Sequence, residues 1–376
     1  MTKDYLARQF KNYHEITGNV VTPQMFGAVG DGVADDYTAF MAAYNEALST
    51  NKTLKLTKKY LLGTKVSLTN PSNKHITIEG TAVQGTNTSS AMGNNANIIA
   101  TNGFEIMSYI RLKNVGFYNY GITVYGIRDY IDGCMFEGCT TAIDMVGGFN
   151  EHRAAWYGEV FIENCSFANC TTGIEFEQDS TTSRFYLDSV IRNCVCLYGT
   201  TFVHGRVGGL MFMENHVYST NSIVGNMTNS IIENNYFDTD DTALNITIIG
   251  GTTALSSTVS INNNMFLKDA VVLDASDNAK PVVEFYGNNT TNVMFNNNFC
   301  TKGYDSTHPE EAFVKVNQAV SIQYADNTCK IKFIELGANA KKISAESSLI
   351  PSAPSTDGTY SLQVTVTDGV ASYSWG

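Results

Sequence analysis

Hydrophobic positions in the central part of the chain follow neither a helical period nor a plain alternation. Between residues 100 and 335 no stretch sustains a repeat of about 3.6 residues. Short blocks recur instead: LKNVGF, IDGCMF, IENCSF, IRNCVC, MENHVY, IENNYF, INNNMF, MFNNNF and YADNTC. They begin at residues 112, 131, 162, 191, 213, 232, 261, 294 and 324. Each reads apolar, any, Asn, any, any, aromatic or Cys, with Gly133 and Asp326 in place of Asn. Spacings of 19 to 33 residues do not suit helical solenoids, whose repeats are length-locked, but do suit coils that accept insertions between turns.

The blocks are rich in β-branched and aromatic residues, which predicts strands. The odd spacing from Ile162 to Phe167 would put the two on opposite faces of a continuous strand, so one residue must break the alternation. Asn does this, because it tolerates a left-handed bend and can ladder its amide with the Asn of the next coil. Adding seven to Phe136, Phe167, Phe237 and Phe266 lands on Ile143, Ile174, Leu244 and Leu273, and the short coils step by five, Phe117 to Ile122 and Tyr218 to Ile223. The pattern predicts an all-β, right-handed, single-stranded parallel β-helix of at least nine coils. The expected layout is an N-terminal arm (1–20), an opening turn and capping helix (21–65), coils (66–340) and a small C-terminal β module (341–376).

An open stack exposes strand edges and core at its ends, so something must cap it. The segment DDYTAFMAAYNEAL supplies an amphipathic helix, with Asp35 or Asp36 as N-cap and Ala39, Phe40, Ala43, Tyr44 and Ala47 on one stripe. The preceding GAVGDG lacks the Lys-Ser/Thr ending of a phosphate loop and the ligand alternation of a calcium loop. The stretch FGAVGDGVADDYTAFMAAYNEA, followed by KTLKLTKKYLLG, resembles the opening motif of the pectate-lyase-like β-helix superfamily, in the branch of bacteriophage tailspikes and polysaccharide depolymerases. The tail PSTDGTYSLQVTVTDGVASYSWG resembles β modules that end phage tail proteins of Gram-positive hosts. The resemblance implies a homotrimer on a phage tail or baseplate. Such a protein is assembled in the bacterial cytoplasm and acts outside it, binding and often cutting a bacterial surface polysaccharide.

A formal net charge of −12 and a pI near 4.9 disfavour nucleic acid and anionic membrane surfaces as partners. The first residues, MTKDYLARQFKNYHEITGN, lack the apolar core of a secretory leader, and no window has the apolar length of a membrane span, so membrane insertion is not expected. The eight cysteines fall into columns, Cys134, Cys165 and Cys194 in one and Cys139 and Cys170 in another. They are expected to be stacked, reduced core residues.

Chemistry on a solenoid belongs to side chains that point out of the rungs and to inserted loops. One position past Ile143, Ile174, Val203, Leu244 and Leu273 lie Asp144, Glu175, His204, Asn245 and Asp274, and two further along come Glu177 and Arg206. Asp144, Glu175 and His204 are therefore expected in one column, with carboxyls about 5 Å apart as in a retaining glycosidase pair. The inserts of the same coils carry His152, Arg153, Trp156, Tyr157 and Arg184, groups suited to binding sugar rings and acidic glycans.

A second column is Asp132, Glu163, Arg192, Glu214 and Glu233; Glu163, Arg192 and Glu214 alternate in sign as structural pairs do, whereas Glu214 and Glu233 are two carboxylates whose repulsion would split their pKa values. A third candidate is FDTDDTALNI, in which Asp240 replaces the core cysteines and Asp269 follows one coil later. It resembles the Asp-Asp stretch of polygalacturonases but lacks their Gly-His-Gly and Arg-x-Lys partners. Hydrolysis by Glu175 and Asp144, with His204, Arg206, Trp156 and Tyr157 positioning the sugar, is the leading expectation. A lyase using His204 or a loop Tyr with Arg206 or Arg153, and a non-catalytic receptor-binding or structural tail protein, are the alternatives. Neither a cofactor nor a resident metal is expected.

Overall fold

The computed structural model describes residues 19–72, 74–82, 97–147, 158–178, 186–238, 244–249, 257–267, 273, 279–286, 291–302, 306–308, 311–316, 320–336, 342–345, 362–367 and 370–375. The chain divides into two units, Met1–Tyr186 and Leu187–Gly376. Both are built from coils of a right-handed parallel β-helix. Among the described residues there is one α-helix, Tyr37–Thr50, and no helix is long and apolar enough to cross a membrane.

In the first unit one parallel ladder runs through Val20–Val21, Thr53–Lys55, Ile76–Glu79, Ile110–Lys113, Tyr130–Asp132 and Phe161–Glu163. A second runs through Lys59–Leu62, Ile98–Ala100, Gly116–Tyr118, Met135–Glu137 and Ser166–Ala168. A third joins Val66–Leu68, Phe104–Ile106, Ile122–Val124, Thr141–Gly147 and Thr172–Gln178. The second unit repeats the scheme, and its last paired coil strand is Lys342–Ala345. Parallel pairing therefore reaches beyond the expected 66–340 span at either end. An antiparallel hairpin, Leu362–Thr367 with Val370–Trp375, forms the C-terminal module.

Left-handed residues mark the bends. Asn114, Gly133, Asn164, Asn193, Glu214, Asn234, Asn263, Asn297 and Asp326 all have φ between 51° and 63°. Asn and Asp enter this region more readily than other residues with a Cβ, which is why the motif fixes Asn there. Corners before and after the motif show the same sign of φ, at Tyr109, Arg128, Glu159 and Asp188 and at Asn119, Gly138, Asn169 and Tyr198. Each bend resets which face points inward, and so accounts for the odd motif spacing.

The amide ladder is built by the next motif position. Asn215, Asn235, Asn264, Asn298 and Asn327 stack so that each of the first four donates from Nδ2 to Oδ1 of the next, over 2.9–3.1 Å. Bending and laddering, expected of one Asn, are thus divided between neighbours. Cys134, Cys165 and Cys194 occupy this inward position in their own coils, and all eight cysteines are free thiols. The motif's last position stacks its rings, Phe117 on Phe136 at 5.1 Å, Phe136 on Phe167 at 5.2 Å and Phe237 on Phe266 at 4.9 Å.

The helix buries Phe40, Ala43, Tyr44 and Ala47, and Phe40 meets Phe104 edge-on at 6.1 Å, so it closes the core as a cap. Ala39 is half-buried. Asp36 occupies the N-cap position, but its buried carboxylate accepts from the amides of Val29 and Gly30 at 2.7 and 3.0 Å and braces the opening turn. Asp35 accepts from the amides of Tyr37 and Gly63, both at 3.0 Å, and these bonds hold its carboxyl below the usual range. The acidic loop at the front of the chain is therefore a bracket for backbone amides.

Candidate functional site

The third ladder of the first unit carries the candidate site. Its strands alternate inward Ile143, Met145, Ile174 and Phe176 with outward Asp144, Glu175 and Glu177. Asp144 pairs with Glu175, and Val146 with Glu177. Towards the N-terminus the Asp144 row continues through Thr123 and Glu105. Adjacent parallel strands lie about 4.8 Å apart, so the three carboxylates share a patch one rung high.

Asp144 is the perturbed member. Burial pushes its carboxyl up to about 6, helped by the negative charges of Glu177 and Glu175. Its Oδ1 is buried and has no hydrogen-bond partner among the described residues. Tyr125, beyond the Phe104–Ile106 and Ile122–Val124 pairing, donates its hydroxyl to Glu105 Oε1 at 3.3 Å, and Lys65 Nζ lies 2.5 Å from the same oxygen. Burial, Glu105, Asp144 and Glu177 push the Tyr125 phenol up to about 12, so it stays protonated and remains a donor.

Sequence reasoning found Asp144, Glu175 and Glu177 but missed Tyr125, Glu105 and Lys65. Tyr125 lies three places past Ile122, the end of the five-residue step from Phe117. Glu105 and Lys65 belong to coils without the Asn motif, and nothing in the motif spacing points to them.

His204 and Arg206 lie on Val195–Gly208 of the second unit, His204 exposed and Arg206 half-buried, with burial lowering the guanidinium pKa. In that unit the row of His204 continues through Val224, Thr247, Glu284 and Lys315. Asn245 is therefore displaced from the row it was expected to join, because Ile246, not Leu244, pairs with Ile223. The seven-residue step fails again one coil later. Leu273 makes an isolated bridge to Ala279, and the stacked strand is Val283–Tyr286. Asp274 lies outside the described residues.

The proposed pairing of Glu214 with Glu233 is overturned. Phe212 pairs with Ile232 and Met213 with Glu233, so the block beginning at 213 is one residue late, and Phe295 pairs with Ile261 and Tyr324, so the block beginning at 294 is one residue early. Glu214 occupies the left-handed bend with φ 58°, and Glu233 stands between Met213 and Asn262 while accepting from Asn263 Nδ2 at 3.1 Å. Neither forms a carboxylate pair. Asp132 stands between Lys113 and Glu163 and accepts from Asn164 Nδ2 at 2.8 Å. His152, Arg153, Trp156, Tyr157, Arg184, Asp240 and Asp269 lie outside the described residues. Among the described residues no group of three or more His, Cys, Asp or Glu side chains could hold a metal ion.

No protein-family model matches the chain, and no curated protein matches it. Solved structures do resemble it in fold. The crystal structure of DFA-IIIase from Arthrobacter chlorophenolicus A6 in complex with GF2 superposes with a TM-score of 0.58 at 12% identity, covering 86% of this chain and 93% of that one. The Agl-KA catalytic domain superposes with a TM-score of 0.52 at 16% identity, covering 87% and 68%. At these identities the likeness is one of fold.

Proposed function

We propose that the chain binds a bacterial surface polysaccharide and hydrolyses its glycosidic bonds, with Asp144 as general acid and Glu175 as its partner carboxylate. The observation that carries this reading is the pairing of Asp144, held partly protonated near neutral pH, with a second carboxylate on the next rung. Asp144 gives its proton to the leaving glycosidic oxygen as the bond to the anomeric carbon breaks. Glu175 attacks that carbon, water then displaces it, and Asp144 takes back a proton from the water. A rung spacing of about 4.8 Å favours this retaining course, since retaining pairs lie about 5–5.5 Å apart. Glu177 keeps the Asp144 proton in place by its charge.

The carbohydrate-active enzymes DFA-IIIase and Agl-KA share the fold, which supports a saccharide substrate. The opening motif supports a tailspike-like protein of a phage tail or baseplate, acting as a homotrimer outside the host cell. In this reading the insert residues His152, Arg153, Trp156 and Tyr157 and, separately in the second unit, His204 and Arg206 are candidates for sugar contact.

Incubation with a panel of purified bacterial capsule and wall glycans tests the class of reaction. New reducing ends support hydrolysis. Absorbance from an unsaturated uronate would replace it with a lyase, and tight binding with neither product would replace it with an adhesin.

A further inference from the structure

The patch around Asp144 has a wall that the carboxyl pair does not use. Tyr125 donates its backbone amide to Ile106 O at 3.0 Å, which carries the pairing of Ile122–Val124 with Phe104–Ile106 one place further. Val124 pairs with Met145 and Met145 with Phe176, so the half-buried Tyr125 falls in the outward row of Val146 and Glu177. Glu105, Thr123, Asp144 and Glu175 form the row beside it. Tyr125 is therefore one rung and two positions from Asp144, about 8 Å between Cα atoms. The other two corners of that square are Thr123 and Val146, whose small side chains leave a depression between phenol and carboxyl. On the far side, Tyr125 Oη donates to Glu105 Oε1 at 3.3 Å, and Lys65 Nζ, 2.5 Å from the same oxygen, fixes that buried carboxylate. With its proton committed to Glu105, the phenol offers the depression an acceptor.

The charge of the patch has one sign. The strands Val66–Leu68, Phe104–Ile106, Ile122–Val124, Thr141–Gly147 and Thr172–Gln178 carry four carboxylates and no Lys, Arg or His. Two groups on different strands register it: after burial, Glu177 and Glu175 raise the Asp144 carboxyl, and Glu105, Asp144 and Glu177 raise the Tyr125 phenol. We propose that Tyr125 holds an uncharged sugar unit against Asp144, its phenol oxygen accepting from a ring hydroxyl, and that the four carboxylates shut acidic sugar units out of this place. A ring hydroxyl satisfies the phenol oxygen and, in the hydrolytic reading on which this assignment rests, leaves the Asp144 proton for the glycosidic oxygen. A uronate would add a fifth negative charge to a patch in which Lys65 already faces Glu105.

Each acidic polysaccharide of the glycan panel is tested twice with the full chain, native and after reduction of its uronate carboxylates to alcohols, which removes the charge and keeps the linkages. Wild type is expected to release reducing ends from neutral and carboxyl-reduced glycans about tenfold or more faster than from the native acidic forms. Tyr125→Phe keeps the ring and loses the oxygen. It should raise KM for a neutral or carboxyl-reduced glycan about tenfold, with a smaller change in kcat and unchanged circular dichroism. Native acidic glycan cut as fast as its reduced form overturns the exclusion, and an unchanged KM in Tyr125→Phe overturns the contact; either result leaves hydrolysis standing. If no glycan is cut, the hydrolytic reading fails, and equilibrium binding of the same glycan pairs decides. A preference of about tenfold for the reduced form, with binding about tenfold weaker in Tyr125→Phe, then supports the assignment. Affinities indifferent to the carboxylates or to the phenol oxygen, or no binding at all, overturn it.

Discussion

Asp144 stands directly opposite Glu175 on the neighbouring rung, with its carboxyl half-buried and pushed up to about 6. Two acids 31 positions apart in the chain share a patch because one coil separates them. The backbone ladder fixes their spacing, and the inward Ile143, Met145, Ile174 and Phe176 fix which way they face.

The protonated Asp144 should set the alkaline limb of activity. Cleavage should fall as pH rises through about 6, where Asp144 loses its proton. Burial is the first cause of the raised value and Glu177 the largest charge contribution. Glu177→Gln should therefore move the limb to lower pH, a shift read from pH–rate profiles of the two proteins. A limb that stays in place contradicts the role given to Glu177.

The same shift makes a prediction about stability. The folded pKa of Asp144 lies above its ordinary 3.8, so its contribution is fully present below about pH 4 and is lost as pH rises to about 6. At pH 7 Asp144→Asn should be more stable than wild type, by about 1 kcal/mol after allowance for solvent screening of a half-exposed group. At pH 3.5 the two should be nearly equal. Urea unfolding at both pH values measures the difference.

The amide ladder should be costly to interrupt. Asn264 accepts from the Asn235 amide and side chain, both at 2.9 Å, and donates to Ile232 O at 3.0 Å and Asn298 Oδ1 at 3.1 Å, all buried. Asn264→Ala takes the acceptor from the buried Asn235 amide and the side-chain donor from Ile232 O, and should lower stability by about 3 kcal/mol. The midpoint of urea unfolding reads this directly.

At Glu214 the prediction runs the other way. A glutamate at φ 58° pays a conformational penalty that Asn, at the same bend in the next coil, largely avoids. Glu214→Asn should raise stability by up to about 1 kcal/mol and leave cleavage unchanged. Loss of cleavage in this variant would return Glu214 to the active site.

The coils were legible because their signal is physical and local. Asn at a left-handed bend and a ring or thiol three places after it recur whatever the insert length. Register proved harder. FMENHV and MENHVY both satisfy an apolar-x-Asn reading in part, and the choice between them depends on Asn215 reaching Asn235, a long-range contact with no local mark. Leu244 and Leu273 fail for a related reason: a fixed step assumes a fixed corner, and Ile246 and Val283 take the register positions in line with Ile223 instead. Of the site, the Asp144–Glu175 pair was readable from the coil count. Tyr125 and Lys65 lie outside the recurring Asn motif, so the coil count does not mark them.

The central claim is that the opposed carboxylates of adjacent rungs break the glycosidic bond. Reducing-end release from the same surface polysaccharide, compared between wild type, Asp144→Asn and Glu175→Gln with glycan binding measured in parallel, tests it most directly. Each carboxamide is expected to slow release by about 100-fold to 10,000-fold with binding retained. Release at the wild-type rate from either variant would contradict the account.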